Sequence, residues 1–80
     1  PARVFPNPVA PGGTVVFEHA APIKSVQLYD AAGRPVQAHA ASLPSATLEV
    51  AWGDRPAGLY WFILMGEDGQ VLATGSLAGQ

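Results

Sequence analysis

The side chains able to do chemistry are few and stand apart. His19 and His39 are the only imidazoles. A metal site needs a second His or Cys a few residues away, and neither histidine has one. There is no cysteine, which removes thiolate metal sites, thiol catalysis and disulfides. His39 stands between alanines, which suits a half-exposed strand position. Ser25, Ser42, Ser45 and Ser76 permit a Ser–His–Asp set on paper, but none lies in a nucleophile motif. The carboxylates are Glu18, Asp30, Glu49, Asp54, Glu67 and Asp68. Asp30, Glu67 and Asp68 fall in turn sequences, where a carboxylate accepts backbone hydrogen bonds. The stretch GEDG (66–69) offers too few oxygens for a calcium loop. A chain of 80 residues is also too small to set two carboxylates across a glycosidase cleft. No helix follows the paired glycines, so they do not form a phosphate loop. The residues point away from catalysis, and neither a cofactor nor a metal is expected.

The aromatic residues carry more information. Trp52 stands beside Gly53 near a strand end, and Trp61 lies inside LYWFILM, the longest apolar run. Exposed tryptophans on a flat sheet would stack on sugar rings, whereas burial of aromatic surface favours core packing, which is the expectation for Trp61. Tyr60, after Ala57-Gly58-Leu59, resembles the tyrosine corner of immunoglobulin-like sandwiches, whose hydroxyl ties back to nearby backbone. The basic residues Arg3, Lys24, Arg34 and Arg55 are scattered, and the net charge is −2. Nucleic-acid binding needs clustered cations, so it is excluded as a function.

The elements that must position these groups are strands. Half of the residues are hydrophobic, which argues for a packed core, although many are alanine. Pro or Gly recurs too often to leave a helix-length window, and the apolar residues alternate instead. Val15 and Phe17 share one face of TVVFEH; Val26 and Leu28 share one face of SVQLYD; Leu48 and Val50 do so in TLEV. LYWFILM is apolar on both faces, as in a strand covered on both sides, and is far shorter than the ~18 apolar residues that span a membrane. QVLATGSL reads as a weaker last strand, loosened by Gly75. DAAG (30–33) and GEDG (66–69) suit type I turns closed by a left-handed glycine, each joining a hairpin. AAP, SLPS and GDRPAG are the other breaks. With ARVF and PVQAHA this gives seven strands and six connections, an all-β, immunoglobulin-like antiparallel β-sandwich formed by residues 1–80 as a single domain. Phe5 and Asn7 each precede a proline, which predicts a stiff, extended segment from Phe5 to Pro8 on a sheet edge. No secretory leader pattern is present, and a chain opening on Pro1 reads as a piece of something longer.

Four stretches occur in one order along nearly the whole chain: VFPNPV, IKSVQLYDAAGRPV, PAGLYWFIL and EDGQVLATGSL. Together they resemble the C-terminal sorting domain of the type IX (Por) secretion system. The matching positions are Pro6, Asn7 and Pro8 in the opening motif, and Tyr29, Asp30, Gly33 and Arg34 in the first hairpin. Gly58 and Tyr60 match at the start of the strong strand, and Asp68 and Gly69 in the last turn. The resemblance implies an immunoglobulin-like fold and a role without an active site. The domain would be the C-terminal address of a larger exported protein, fused to an N-terminal cargo. It would pass through the periplasm, be recognised by the outer-membrane translocon and be cleaved by a sortase-like protease. The cargo would end at the cell surface or outside the cell. The chain departs from the family at its end, where TGSLAGQ has no closing basic residue; a short or frayed last strand is therefore expected.

Two other functions fit a small sandwich: an accessory carbohydrate-binding module of a secreted hydrolase, and a fibronectin-like spacer. The sugar binder would display coplanar exposed aromatics, Trp52 with Trp61 or Tyr29. The sorting domain would bury Trp61 and leave a sheet edge accessible. Unpaired edges also allow pairing between copies.

Overall fold

The computed structural model describes residues 2–80. Its five strands are β1 (Arg3–Phe5), β2 (Thr14–Tyr29), β3 (Pro35–Ala51), β4 (Gly58–Met65) and β5 (Val71–Gly79). They form one antiparallel sheet in the order β1-β2-β4-β5, with β3 along the remaining edge of β2. β2 serves two neighbours in turn. Its first half pairs with β1, from Arg3 opposite Glu18 to Phe5 opposite Val16. Its second half pairs with β4, from Ser25 opposite Met65 to Tyr29 opposite Trp61.

The expected seven strands are therefore five, because AAP and SLPS bend strands without ending them. Between Glu18 and Ile23 the chain bulges on β2, and between Ser45 and Ala40 it bulges on β3. Pro22 and Pro44 lie in these bulges. A proline cannot donate to a ladder, but a bulged residue needs no ladder bond, so the strand runs on past it with a sharper twist. The bulges are held by side chains. Lys24 Nζ donates to the Ala41 carbonyl at 2.7 Å, and the Ala21 amide donates to His19 Nδ1 at 3.0 Å.

The bends curl the sheet around one apolar core. Val15, Phe17, Ile23, Val26 and Leu28 of β2 meet Val50, Tyr60, Phe62, Leu64 and Leu77, with Val9 and Trp52 closing the cluster. The Phe17 and Phe62 rings meet edge to face, 5.2 Å between centroids, although their strand segments are not paired with each other. Alternation thus chose the inner face of each strand as the sequence indicates. Trp61 is the exception. It is 47 % exposed on the outer face, not buried. The other side of β4 has no covering layer, so its outward residues Leu59 and Trp61 meet solvent.

The last strand is neither short nor frayed. It pairs with β4 from Val71 opposite Met65 to Gly79 opposite Gly58. Gly75 does not loosen it. A Cβ at that position would lie 2.8 Å from Phe62 Cζ, so the missing side chain is the room the ring occupies.

Candidate functional site

The first hairpin turn is built by Asp30. Its backbone pairs with Arg34, and the Gly33 amide donates to the Asp30 carbonyl at 2.9 Å. The Asp30 side chain fills the turn: Oδ1 accepts the amides of Ala32 and Arg34, and Oδ2 accepts Arg34 Nε at 2.9 Å. The Arg34 amide does most to hold the Asp30 carboxyl below its ordinary range, with the Arg34 guanidinium and the Ala32 amide adding to it against a desolvation cost. The second hairpin repeats the scheme. Gly66 and Gln70 pair, the Gly69 amide donates to the Gly66 carbonyl at 3.0 Å, and Asp68 Oδ1 accepts the Gln70 amide. Gly33 and Gly69 have φ of +85° and +84°, a conformation that strains any residue with a Cβ.

At the start of β4, Gly58 has φ +142° and Tyr60 turns inward. Its hydroxyl donates to the Pro56 carbonyl at 2.6 Å, tying the strand to the loop four residues upstream. The Tyr60 ring stands edge-on to Trp52 at 5.0 Å. The Arg55 guanidinium lies over the Trp52 ring at 4.6 Å and donates to the Trp52 carbonyl at 2.6 Å. The Trp52 indole N–H is buried with no hydrogen-bond partner among the described residues.

The opening motif does something its composition does not announce. Pro6, Asn7 and Pro8 form a bend rather than the extended edge segment expected, and both prolyl bonds are cis. The bend brings the motif against the chain's far end. Asn7 Oδ1 accepts the Ala78 amide at 2.9 Å. The Val9 amide donates to the Ala78 carbonyl, and the Gln80 amide donates to the Val9 carbonyl, each at 2.9 Å. Val9 and Gly79 thereby form a parallel bridge, and Val9 is fully buried.

The register brings most of the sequence-singled residues to one end of the molecule. Gly79 lies opposite Gly58, and Tyr29 lies opposite Trp61. The Asp30–Arg34 turn and the Pro56–Tyr60 segment line one shallow hollow. Pro6, Asn7, Pro8, Tyr29, Asp30, Gly33, Arg34, Gly58 and Tyr60 belong to this end, while Asp68 and Gly69 lie in the hairpin at the other. Their contacts are turns, ties and junctions rather than a convergent set of reactive groups. Among the described residues, no three His, Asp or Glu side chains gather as metal ligands. Among the described residues, the His39 ring hydrogen-bonds only Gln37, at 2.6 Å, and the Arg3–Glu18 ion pair is exposed.

The aromatic platform of a sugar binder is incomplete. Trp52 is buried beneath Tyr60 and Arg55, so it cannot stand beside Trp61. Tyr29 does lie opposite Trp61, half-buried on the outer face. Sequence reasoning missed Val9, Arg55 and Ala78. For Arg55 a signal existed, a cation three residues after a tryptophan; Val9 and Ala78 carry none, because each acts through a distant partner.

The family model of the secretion system C-terminal sorting domain matches residues 3–74. The chain belongs to that family. The match spans the opening motif, both hairpins and the first four residues of β5. This sorting domain is a non-catalytic signal recognised by the Por, or type IX, secretion system. No curated protein and no solved structure matches the chain.

Proposed function

We propose that residues 1–80 are a single C-terminal module of a larger secreted protein. The cargo would be fused ahead of it, and the fused protein would first cross the inner membrane by an ordinary N-terminal signal. The outer-membrane type IX translocon would then read the module in the periplasm, and a sortase-like protease would remove it after passage. The cargo finishes at the cell surface or in the medium. The observation that carries this reading is the family match over residues 3–74. The geometry supports it in a specific way: the motif residues fix turns and the Asn7–Ala78 junction, so what they offer a partner is outline and backbone.

The curled sheet reads as the two layers of an immunoglobulin-like sandwich, one led by each half of β2. The contact of Phe17 with Phe62 across the core supports this, as does the tie from Tyr60 to Pro56.

The test is a reporter with its own N-terminal export leader and these 80 residues at its C-terminus, made in a host with a working type IX system. The reporter is expected at the surface or in the medium, with the module removed. A reporter held in the periplasm with the module folded overturns the proposal.

A further inference from the structure

Where on the outline would a reading protein attach? Three strand edges are available, and two are guarded. β1 is three residues long, carries Arg3 and runs into Pro6 and Pro8. β3 begins at Pro35, contains Pro44 and a bulge, and carries Glu49. Short edges, prolines, charges and bulges are the usual means of stopping another chain from pairing. β5, with the sequence VLATGSLAG, has neither a proline nor a charge.

Its free side is identified by the residues that already use it. The Ala78 amide and carbonyl both face away from β4, toward Asn7 and Val9. Backbone direction repeats every second residue along a strand, so the amides and carbonyls of Ser76 and Thr74 face the same way. Among the described residues, no backbone hydrogen bond outside the β4 ladder engages them. The bridge at Gly79 shows that this edge accepts another strand; Asn7 and Val9 fill only its last rungs.

Beyond Thr74 and Ser76 lies a groove of about 470 Å³ between β5 and β1. Val4 and Asn7 form one side, Thr74, Gly75 and Ser76 the other, and Phe62 the floor. None of its described lining residues is charged.

We infer that an extended, uncharged segment of the protein that reads this signal enters the groove between β5 and β1 and adds to the free edge at Thr74 and Ser76 as a further strand. The inference rests on the sorting function and names where its recognition takes place. Main chain is the one ligand whose donors and acceptors alternate at the spacing this edge presents. The uncharged lining matches an uncharged segment, since a charge placed there would be desolvated without a partner. The bounding β1 requires a segment free on both of its edges. A second copy's β5 does not qualify, because its own β4 occupies one edge and its free edge lies inside its own groove.

The experiment uses the reporter fusion with Thr74→Pro, Thr74→Lys and Thr74→Ala. Proline removes an outward amide that the β4 ladder does not use; lysine keeps the amide and places a charge in the groove; alanine removes only side-chain atoms. Thr74→Pro and Thr74→Lys are expected to lower surface reporter at least about tenfold with the module still folded, and Thr74→Ala to stay within about twofold. If proline unfolds the module, lysine at this exposed position decides. Folded Thr74→Lys exported like the unaltered fusion overturns the inference, as does Thr74→Ala failing equally. A dimer lost in Thr74→Pro without loss of export would assign the edge to self-pairing and overturn it too. If the unaltered fusion itself stays in the periplasm, it is the sorting proposal that fails.

Discussion

Asn7 holds the opposite end of the chain: its Oδ1 accepts the Ala78 amide at 2.9 Å, across 71 residues of sequence. Removing that acceptor leaves the Ala78 amide on an exposed edge, where water replaces the bond imperfectly. Asn7→Ala is expected to cost about 1 kcal/mol in urea unfolding. It should also speed hydrogen exchange at Ala78 more than at Tyr60. Asn7→Asp keeps an acceptor and should retain most of the protection. Equal exchange at Ala78 in all three proteins would show that the Val9 bridge alone fixes the end of β5.

The Tyr60 hydroxyl does a comparable job at the other side of the same end, through its 2.6 Å bond to the Pro56 carbonyl. Tyr60→Phe keeps the ring against Trp52 and removes only that tie. A loss of about 1 kcal/mol is expected, with the core unchanged. The edge-to-face pair with Trp52 should survive, so the near-ultraviolet signal of the tryptophan should keep its shape. A large loss of that signal would mean that the hydroxyl positions the ring rather than the loop.

Much of this arrangement was legible locally. Period-two alternation put Val15, Phe17, Val26 and Leu28 on the inner face, because one side of those strands is wholly apolar and the other mostly polar. Turn chemistry placed Gly33 and Gly69, since those positions tolerate few other residues. Pro22 and Pro44 misled for a physical reason: proline forbids a ladder bond at one residue, and a bulge omits that same bond, so sequence cannot separate a strand end from a bend. Trp61 misled because LYWFILM is apolar on both faces, and no alternation remains to say which side is uncovered. The tie from Asn7 to Ala78 has no local signature; nothing near residue 78 asks for an amide acceptor from residue 7.

Asp30 makes the stability of the hairpin depend on pH. Its folded carboxyl titrates below the ordinary value of 3.8, chiefly because the Arg34 amide donates to it. A depressed carboxyl contributes stability that is fully present above the unfolded value and is lost as pH falls through the folded one. The module should therefore hold its stability down to about pH 5 and lose part of it at lower pH. Asp30→Asn cannot titrate, and its hairpin should be weaker near neutrality and show a smaller drop in acid. Unfolding curves for both proteins at about pH 6 and about pH 3 measure the difference. Parallel losses in the two would remove Asp30 as the cause.

Gly75 and Phe62 fit closely, opposite each other on β5 and β4. A Cβ on residue 75 would lie 2.8 Å from Cζ and 2.9 Å from Cε2 of the ring, closer than non-bonded carbons approach. Phe62 is pinned on its other side by Phe17, so the ring has little room to retreat. Gly75→Ala is expected to cost about 1–3 kcal/mol, the usual range for overpacking. The interaction, rather than strand propensity, is isolated by a double-mutant cycle. Phe62→Leu should destabilise by opening a cavity, and adding Gly75→Ala to it should cost less than the same change in the unaltered protein. A strand weakened merely by its glycine would instead gain from Gly75→Ala in both backgrounds, because alanine restricts the unfolded chain. The sign of that single substitution separates the two accounts of why a glycine stands in the last strand.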